Sequence, residues 1–384
     1  MSQKIGMSWQ QLKHEKMKLF AAVSGVMVSV VLMWMQLGLM KALFASAVVL
    51  HGSLAGELVL IHSQYEHLLH SKFFSSRLLY RLKGSPDVVS VSGIYLSPIE
   101  WKNPWNGEMR SMQCYGIETD APSFDIPGLA EQLPSLRRTD VFLYDRLARP
   151  RFGDVVGESG KGIEIEPELN RRKMKLEGLV NLGASFGVDG NLLVSHANFL
   201  RLFPDRDGGQ IDLGVVRLKP GVSVRSAQKQ FQQELGKQVL VLTKEEFAEV
   251  ELKYWKSATP IGIIFTAGTF VGFFIGFIVV YQILYTDVTN HLPQYATMKA
   301  MGFSNAYLRG LILEQSFQLG MLGFVPGTVM AGFLYAALRK VTQLPLFLDP
   351  ARGIFLAVVT VLMCVMSGLF AIRKLSSADP AEVF

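Results

Sequence analysis

The stretch YTDVTNHLPQYATMKAMGF, residues 285–303, decides how this chain is organised. It is a short polar segment that separates two apolar runs. Residues 259–285 contain no charged side chain, and residues 311–338 contain only Glu314. At about 1.5 Å per helical residue, each run is long enough to cross the roughly 30 Å of hydrocarbon in a bilayer. The quoted segment is therefore expected to lie at one membrane face and to join two spans.

The residues of this segment are typical of a short helix. Thr289 or Asn290 can cap its first amides, and Pro293 is tolerated in a first turn. Gly302 can adopt the left-handed conformation that ends a helix. Apolar residues recur about one turn apart and form a stripe that must be buried: Leu292, Tyr295, Met298 and Met301. The stripe fits two interpretations, a connector packed on its own bundle or a surface that a partner contacts.

Four membrane spans are predicted, at about 19–43, 259–286, 308–338 and 353–373. The first apolar run exceeds the roughly 7–15 residues of a signal-peptide core, so we expect it to remain as an anchor. Lysines before it indicate a cytoplasmic start, although the basic outer loop around residue 340 opposes that orientation. Alternation then assigns the whole chain: 1–18 cytoplasmic, 19–50 the first span and its extension, 51–257 an outer domain, 258–286 the second span, 287–307 a cytoplasmic loop, 308–339 the third span, 340–352 an outer loop, 353–373 the fourth span and 374–384 a cytoplasmic tail.

The composition agrees with a large aqueous domain carried on a few spans. Hydrophobic residues make up 49% and charged residues 18% of the chain, too apolar for a typical soluble protein and too polar for one wholly in lipid. The net charge of +6 lies mostly beside the spans and requires no nucleic-acid partner. Cys114 and Cys364 are expected in different solvents, so no disulfide is predicted.

The outer domain has mixed α/β character. Residues 53–82 have a helical pattern that would continue from the first span, and Ser223 begins a second helix that ends near Leu235. Alternating or β-branched runs predict five strands: 87–95, 162–166, 175–180, 211–218 and 238–242.

The sequence lacks the residues of an enzyme. The run GESGKG, residues 157–162, is the nearest approach to a phosphate-binding loop, but its first glycine is misplaced and Gly162 stands where a hydroxyl must hold magnesium. It is interpreted as a surface turn. His67 and His70 could share one helix face, but no third ligand faces them, so a solvated surface is favoured over a metal site. We predict no catalytic residue and no bound metal.

Two further features can be interpreted in two ways. Gly268, Gly272 and Gly276 form small-x-x-x-small steps, which suit either a dimer contact or helix packing within one chain. Glu314 could pair with Lys299 or Arg309 and so anchor the loop to the third span. Its carboxylate could equally reach the interface without a partner.

The segment has a family resemblance. Residues 281–314 resemble the cytoplasmic coupling loop of FtsX/MacB-type permeases of ABC transporters, and HLPQYATMKAMG, residues 291–302, is most similar to the DevC branch. Weaker resemblances lie at LKHEKMKL (12–19), LMWMQLG (32–38) and DPAEVF (379–384).

The resemblance implies an integral membrane α-helical protein with four transmembrane helices and a large extracytoplasmic α/β domain. A porter part would comprise about 50–135 and 211–257, with a β-rich sabre part at about 140–210 inserted into it. The residues implied to couple to an ATPase match the family loop: Leu292, Pro293, Tyr295, Met298, Lys299, Met301 and Gly302.

The implied activity is that of the permease subunit of a tripartite ABC exporter of the mechanotransmission type. A separate DevA-like ATPase would bind ATP and magnesium, while this chain binds no cofactor itself. Other implied partners are a second copy of the chain, a DevB-like membrane-fusion adaptor, a TolC-like outer-membrane duct and the bilayer. The implied location is the inner membrane of a cyanobacterium, with both termini in the cytoplasm. The implied cargo is envelope glycolipid.

The sequence is also compatible with three other functions. The chain could be an FtsX-like mechanical regulator of an envelope hydrolase or a lipoprotein extractor, both with the same fold. A membrane-anchored sensor or adhesion protein is the alternative from a different class. The large outer domain favours export over regulation, and the lack of an internal signalling module disfavours a sensor.

Overall fold

The computed structural model describes residues 16–376, with side chains described to residue 372. These residues form two compact units, one made of residues 43–259 and one made of residues 16–42 and 260–376. The resembling closing motif, residues 379–384, and residues 12–15 of the opening motif lie outside the described residues. The same is true of residues 1–15 and 377–384 of the cytoplasmic segments assigned above.

The helices and strands alternate irregularly along the chain. The helices are α1 (Lys16–Ala47), α2 (Val49–Gly52), α3 (Ser76–Arg81), α4 (Leu129–Gln132), α5 (Val155–Gly160), α6 (His196–Leu202), α7 (Val224–Leu235), α8 (Lys244–Ser257), α9 (Ile261–Asn290), α10 (Leu292–Ala300), α11 (Asn305–Thr342) and α12 (Pro350–Ser376). The strands are β1 (Leu58–His62), β2 (Phe74–Ser75), β3 (Val88–Lys102), β4 (Met109–Ile117), β5 (Val141–Asp145), β6 (Glu168–Leu169), β7 (Arg172–Lys173), β8 (Lys175–Val180), β9 (Asn191–Ser195), β10 (Gln210–Ile211), β11 (Leu213–Leu218) and β12 (Val239–Thr243).

The α/β unit is built on one mixed sheet. Its strand order is β12-β1-β11-β3-β4-β9-β5-β8, and the short β6–β7 hairpin joins the far end of β3. The pairs β4–β9 and β5–β8 are parallel, and the other pairs are antiparallel. The strands of both suggested parts, porter and sabre, belong to this sheet, so their division stays a prediction.

The sheet is covered on both faces. In β1, Leu58 and Leu60 join one hydrophobic cluster while Val59 and Ile61 join the other. Successive side chains of a strand point to opposite faces, so an uninterrupted apolar run is expected where both faces are buried.

The predicted helix after Ser223 is confirmed. The Ser223 hydroxyl accepts a hydrogen bond from the Ser226 amide, as a helix N-cap does. Ala227, Phe231 and Leu235 recur every fourth residue and are buried against the sheet.

Two local predictions are wrong. Residues 53–82 do not form one helix, because the run at 58–62 is the interior strand β1 and only 76–81 is α-helical. A short apolar run fits a buried strand as well as a buried helix, and only pairing decides between them. Residues 162–166 are not a strand; Glu164 there pairs with Lys175. The other four predicted strands are present.

The second unit contains α1, α9, α11 and α12, which are long and apolar enough to cross a membrane. The predicted four transmembrane helices and the predicted α/β domain are therefore both confirmed. Polar contacts between these helices are few. The Trp34 indole donates to Thr328 at 3.1 Å, Tyr335 donates to the Trp34 carbonyl, and Ser367 donates to the Phe277 carbonyl at 2.8 Å.

Helices α1 and α11 approach closely through glycine. A Cβ atom added at Gly323 would overlap the side chain of Val26, and one added at Gly327 would lie 2.9 Å from Val30 Cβ. Since lipid tails provide no hydrophobic drive for helix association, such close packing is the main source of stability within the bundle.

We expect Gly323→Leu to destabilise the bundle by about 1–3 kcal/mol, because the added side chain must displace α1. The matched control is Ala337→Leu, on an exposed face of the same helix, which should have little effect. Thermal unfolding of the full chain in detergent measures both variants. Equal melting temperatures for the two would contradict the packing described.

A buried carboxylate lies in the α/β unit near the start of the second span. Glu251 is 1% exposed and accepts hydrogen bonds from the Tyr65 hydroxyl at 2.8 Å, the Leu68 amide at 3.0 Å and the Trp255 indole at 2.9 Å. His51 Nε2 lies 3.7 Å from Glu251 Oε2. Burial raises the pKa of Glu251, and burial lowers the pKa of His51 to about 3.

The buried His51 should make the α/β unit less stable in acid. Because its pKa falls from 6.5 to about 3 on folding, the unfolded chain binds a proton below pH 6.5 that the folded chain does not. The free energy of unfolding keeps its full value above pH 6.5 and decreases as the pH falls. The decrease is about 2–3 kcal/mol at pH 4.5. The raised pKa of Glu251 acts in the opposite direction.

His51→Phe, which keeps the ring packing on Phe247, should therefore reduce the loss of melting temperature between pH 7.5 and 4.5. His70→Phe, at an exposed position, is the matched control. Its melting temperature should fall between pH 7.5 and 4.5 as much as that of the unchanged chain. An unchanged pH dependence in His51→Phe would show that the histidine does not contribute.

Candidate coupling site

Helix α10 connects the second and third spans with almost no loop. Helix α9 ends at Asn290 and α10 begins at Leu292, with His291 as the single residue between them. The predicted cap at Thr289 or Asn290 is wrong, because both residues lie inside α9, and the Thr289 hydroxyl donates to the Tyr285 carbonyl at 2.8 Å. His291 Nδ1 instead lies 2.9 Å from the Asp287 carbonyl.

The C-terminal end of α10 is fixed by Gly302. Its φ of +92° is in the left-handed region, as predicted from the sequence. The Gly302 amide donates to the Lys299 carbonyl at 2.9 Å, and the Phe303 amide donates to the Met298 carbonyl at 3.1 Å. These two bonds form a Schellman motif. The Ser304 hydroxyl then caps α11 by accepting from the Tyr307 amide at 3.2 Å.

The inner face of α10 is packed on its own bundle. Tyr295 is 1% and Met298 8% exposed, and Leu292 is partly buried beside them. We call the cluster that they join the coupling core: Val288, Tyr295, Met298, Leu308, Leu311, Ile312 and Ile372. It contains side chains of α9, α10, α11 and α12, so α10 is fixed to three membrane helices. Tyr295 and Met298 are therefore buried within the bundle, and their predicted role in coupling to an ATPase stays a prediction.

The outer face of α10 is open to solvent. Its exposed residues, together with the three positions that follow the helix, are Pro293, Gln294, Thr297, Ala300, Met301, Gly302 and Phe303. We call this set the coupling face. Met301 is 66% and Phe303 41% exposed, and Lys299 is half-buried at the edge. Two large apolar side chains on a solvated helix end are typical of a protein contact surface.

Of the predicted stripe, Leu292, Tyr295 and Met298 thus lie inward, and Met301 lies outward. The sequence did not single out Phe303. Its position after the stop glycine indicated only the end of the helix, and Phe303 packs at 5.0 Å on the ring of Tyr307 while its edge stays exposed.

Glu314 lies in the third turn of α11 and is half-buried. One of its carboxylate oxygens, Oε1, is buried without a hydrogen-bond partner among the described residues. The predicted pairing of Glu314 with Lys299 or Arg309 stays a prediction.

The predicted glycine face of α9 lies against helices of the same chain. A Cβ added at Gly272 would be 3.2 Å from Met33 Cγ, and the Ser29 hydroxyl donates to the Gly272 carbonyl at 2.6 Å. Gly268 lies against Gln36, and Gly276 lies against Ser29 and Met363. Helix packing thus occupies this face in the structure, and a dimer contact through it would have to replace these neighbours.

The other sequence candidates lie in the α/β unit. Residues 155–160 form the short helix α5, whose cap is Asp154 accepting from the Gly157 amide at 3.0 Å. His67 stacks on Tyr254 with ring centroids 4.2 Å apart. Among the residues that the structure describes, no group of three or more His, Cys, Asp or Glu side chains could hold a metal ion.

Tyr295 provides a test of the coupling core. Burial raises the pKa of its hydroxyl, which has no hydrogen-bond partner in the described part of the chain. Tyr295→Phe should therefore leave stability unchanged or raise it by about 1 kcal/mol, because a buried unpaired group is removed. Tyr295→Ala should cost about 3–5 kcal/mol, since it leaves a cavity.

Hydrogen exchange of the amides of residues 295–303, measured on the full chain in nanodiscs, reports the local effect. Faster exchange in Tyr295→Ala but not in Tyr295→Phe is expected. Equal exchange in both variants would mean that α10 is not held by this contact.

The comparisons with known proteins agree with a membrane permease. Residues 261–380 match the family model described as FtsX-like permease C-terminal. A search of curated protein sequences finds no significant match.

Solved structures resemble the α/β unit only distantly. The periplasmic region of MacB from Actinobacillus actinomycetemcomitans is 12% identical, with a TM-score of 0.38, covering 52% of this chain and 93% of that chain. The extracellular domain of the noncanonic ABC-type transporter YknZ from Gram-positive bacteria is 13% identical, with a TM-score of 0.34, covering 48% and 99%. A domain of a putative permease protein from Porphyromonas gingivalis is 15% identical, with a TM-score of 0.29, covering 48% and 87%. With TM-scores below 0.5, these similarities carry no functional conclusion for this chain.

The family match spans α9 to α12, which are the helices that build the coupling core. Residues 261–380 of this chain are therefore similar to the C-terminal domain of FtsX-like permeases.

Proposed function

We propose that this chain is the permease subunit of an ABC exporter of the DevC and MacB type, and that a separate ATPase subunit contacts its coupling face. The observation that carries the proposal is the two-sided character of α10. One side is buried in a core shared with three membrane helices, and the other presents Met301 and Phe303 to solvent.

This arrangement is suited to transmitting motion. Interiors are close-packed and resist compression, so a displacement of α10 moves the ends of α9 and α11 with it. The connections are short, since one residue precedes α10 and four lie between it and α11. Little of the displacement is lost in loop flexibility.

The energy source belongs to the partner. ATP and magnesium would bind to the ATPase subunit and supply phosphoryl-transfer chemistry there. This chain contributes the surface that receives the movement, with Pro293, Thr297 and Met301 at its centre and Lys299 at its edge. Leu292, Tyr295 and Met298 hold that surface in place.

The remaining assembly follows the DevC resemblance. Two copies of the chain would pair with two DevA-like ATPases, with α10 and both termini in the cytoplasm of a cyanobacterium and the α/β domain outside the inner membrane. A DevB-like adaptor and a TolC-like duct would receive cargo, envelope glycolipid among the candidates. A mechanical regulator or lipoprotein extractor would use the same coupling face, so cargo release is what distinguishes them.

Replacing Met301 and Phe303 together with aspartate should reduce stimulation of the partner ATPase at least about tenfold, because carboxylates are costly in an apolar contact. The assay is ATP hydrolysis by an ABC ATPase from the same genome that co-purifies with the full chain. Val89→Asp, an equally exposed apolar site in β3, is the matched control and should keep full stimulation.

Labelling of intact cells that produce the full chain tests the membrane side of α10. A cysteine placed at the exposed Asn290 should react with an impermeant maleimide only after the inner face is opened, since Cys114 and Cys364 are both buried. Full ATPase stimulation in the double aspartate variant, or labelling of Asn290→Cys from outside intact cells, would refute the proposal.

A further inference from the structure

The unit that contains α1, α9, α11 and α12 has a group of cations that the coupling mechanism does not use. They lie near the ends of three apolar helices, and we call them the basic cluster: Lys41 in α1, Arg339 and Lys340 in the last turn of α11, and Arg352 in the first turn of α12. Residues 16–42 and 315–376 contain a single acidic residue, Asp349, which directly precedes α12. One carboxylate thus accompanies four cations.

Asp349 compensates only part of the basic cluster. The Lys41 ammonium donates to Asp349 Oδ2 at 2.6 Å, and the Arg352 guanidinium lies 3.9 Å from the same oxygen. The hydrogen bond from Lys41 lowers the pKa of Asp349, so this carboxyl group is ionised at neutral pH. Arg339 and Lys340 are exposed and form no ion pair with the residues that the structure describes. Their charge is available to an anion from outside the chain.

The guanidinium of Arg339 is positioned by an aromatic ring. Its Cζ atom lies over Phe347, 4.9 Å from the ring centroid. This contact leaves most of the five N–H donors of the guanidinium free. A guanidinium presents these donors as a planar fork that matches two oxygens of a phosphate group. Arg339 is therefore oriented by its own chain and can still bind a phosphate.

Helix dipoles do not account for the basic cluster. A cation is favourable in the last turn of a helix, as for Arg339 and Lys340, but unfavourable in the first turn, where Arg352 lies. Lys41 is six residues before the end of α1 and so lies outside its last turn. The predicted orientation also places this end of the helices outside, where lysine and arginine are usually depleted. Local helix stabilisation thus explains two of the four cations at most.

The side chains beside the basic cluster are typical of a membrane interface. The Arg352 guanidinium lies 5.9 Å from the ring centroid of the buried Trp34. Phe347 is 60% exposed, and Leu348 beside it is exposed as well. Aromatic residues are enriched at the ends of membrane spans, and exposed apolar side chains lose contact with water when lipid covers them. This combination favours a lipid surface over an acidic protein, for which charge alone would suffice.

We propose that the basic cluster binds the phosphate of an anionic phospholipid, with Arg339 and Lys340 as its main contacts and Lys41 at the edge. The lipid tails lie beside Phe347 and Leu348. This lipid is a bound component of the bilayer and not a cargo. The inference goes beyond the proposed function and requires no ATPase, and the same phosphate is available whichever leaflet contains the loop.

Native mass spectrometry of the full chain in detergent measures the binding of phosphatidylglycerol and of phosphatidylcholine. Phosphatidylglycerol should bind at least about tenfold more tightly, since each lysine or arginine near an anionic surface contributes about a factor of five. Arg339→Gln combined with Lys340→Gln should weaken the binding of phosphatidylglycerol at least about tenfold. The binding of phosphatidylcholine should not change.

The matched control removes the same charge elsewhere. Lys229→Gln combined with Lys237→Gln changes two exposed lysines of the α/β unit and should keep the preference for phosphatidylglycerol. Melting temperatures in phosphatidylcholine nanodiscs show whether both double variants fold. Lys41→Gln, which leaves α11 unchanged, is a second variant and should weaken phosphatidylglycerol binding about fivefold.

Hydrogen exchange in nanodiscs locates the site. The amides of residues 339–349 should exchange more slowly with phosphatidylglycerol than with phosphatidylcholine, and the Arg339 and Lys340 double variant should lose this difference. Equal binding of the two lipids, or unchanged phosphatidylglycerol binding in that variant, would overturn the proposal. Equal protection by soluble glycerol phosphate would indicate a free phosphate site instead, and equal protection by soluble polyglutamate an acidic protein partner. Either result would reject the lipid.

Discussion

The organisation of this protein depends on the burial of one face of α10. Without the contacts of Tyr295 and Met298, a nine-residue helix beginning with Leu-Pro would be unstable in water, because isolated helices of that length are marginal. The coupling core supplies the missing stabilisation from α9, α11 and α12. It also makes the helix a fixed part of the membrane bundle, and the outward direction of Met301 and Phe303 follows from that fixation.

The two ends of α10 are fixed by different local structures. At its start, α9 runs to Asn290 and turns at His291, so the chain changes direction within one residue. At its end, the Schellman bonds around Gly302 and the Ser304 cap determine where α11 begins. A side chain with a Cβ atom would be strained at Gly302, which explains why glycine is found there.

In the α/β unit, hydrogen bonds to one buried carboxylate hold separate segments together. Glu251 in α8 is bonded to Tyr65, Leu68 and Trp255, which connects the loop after β1 to the helix that precedes the second span. A buried carboxylate is costly unless its oxygens are bonded, and here both oxygens accept hydrogen bonds from neutral donors. The arrangement holds Trp255 in the orientation in which its ring contacts Phe186.

The sequence by itself determined the elements whose signal is local and repeated. Long apolar runs with few charged side chains predicted four membrane helices, because a charge within hydrocarbon is costly. Ser223 predicted the start of α7 and Gly302 the end of α10, since capping depends on neighbouring backbone groups. Only the tertiary structure decided that 58–62 is an interior strand, because its pairing with residues 214–216 and 239–243 joins positions more than 150 residues apart. It also decided which side of the stripe faces inward. Helical spacing places Leu292, Tyr295, Met298 and Met301 near one another, but the neighbours that bury three of them and leave the fourth exposed come from other helices.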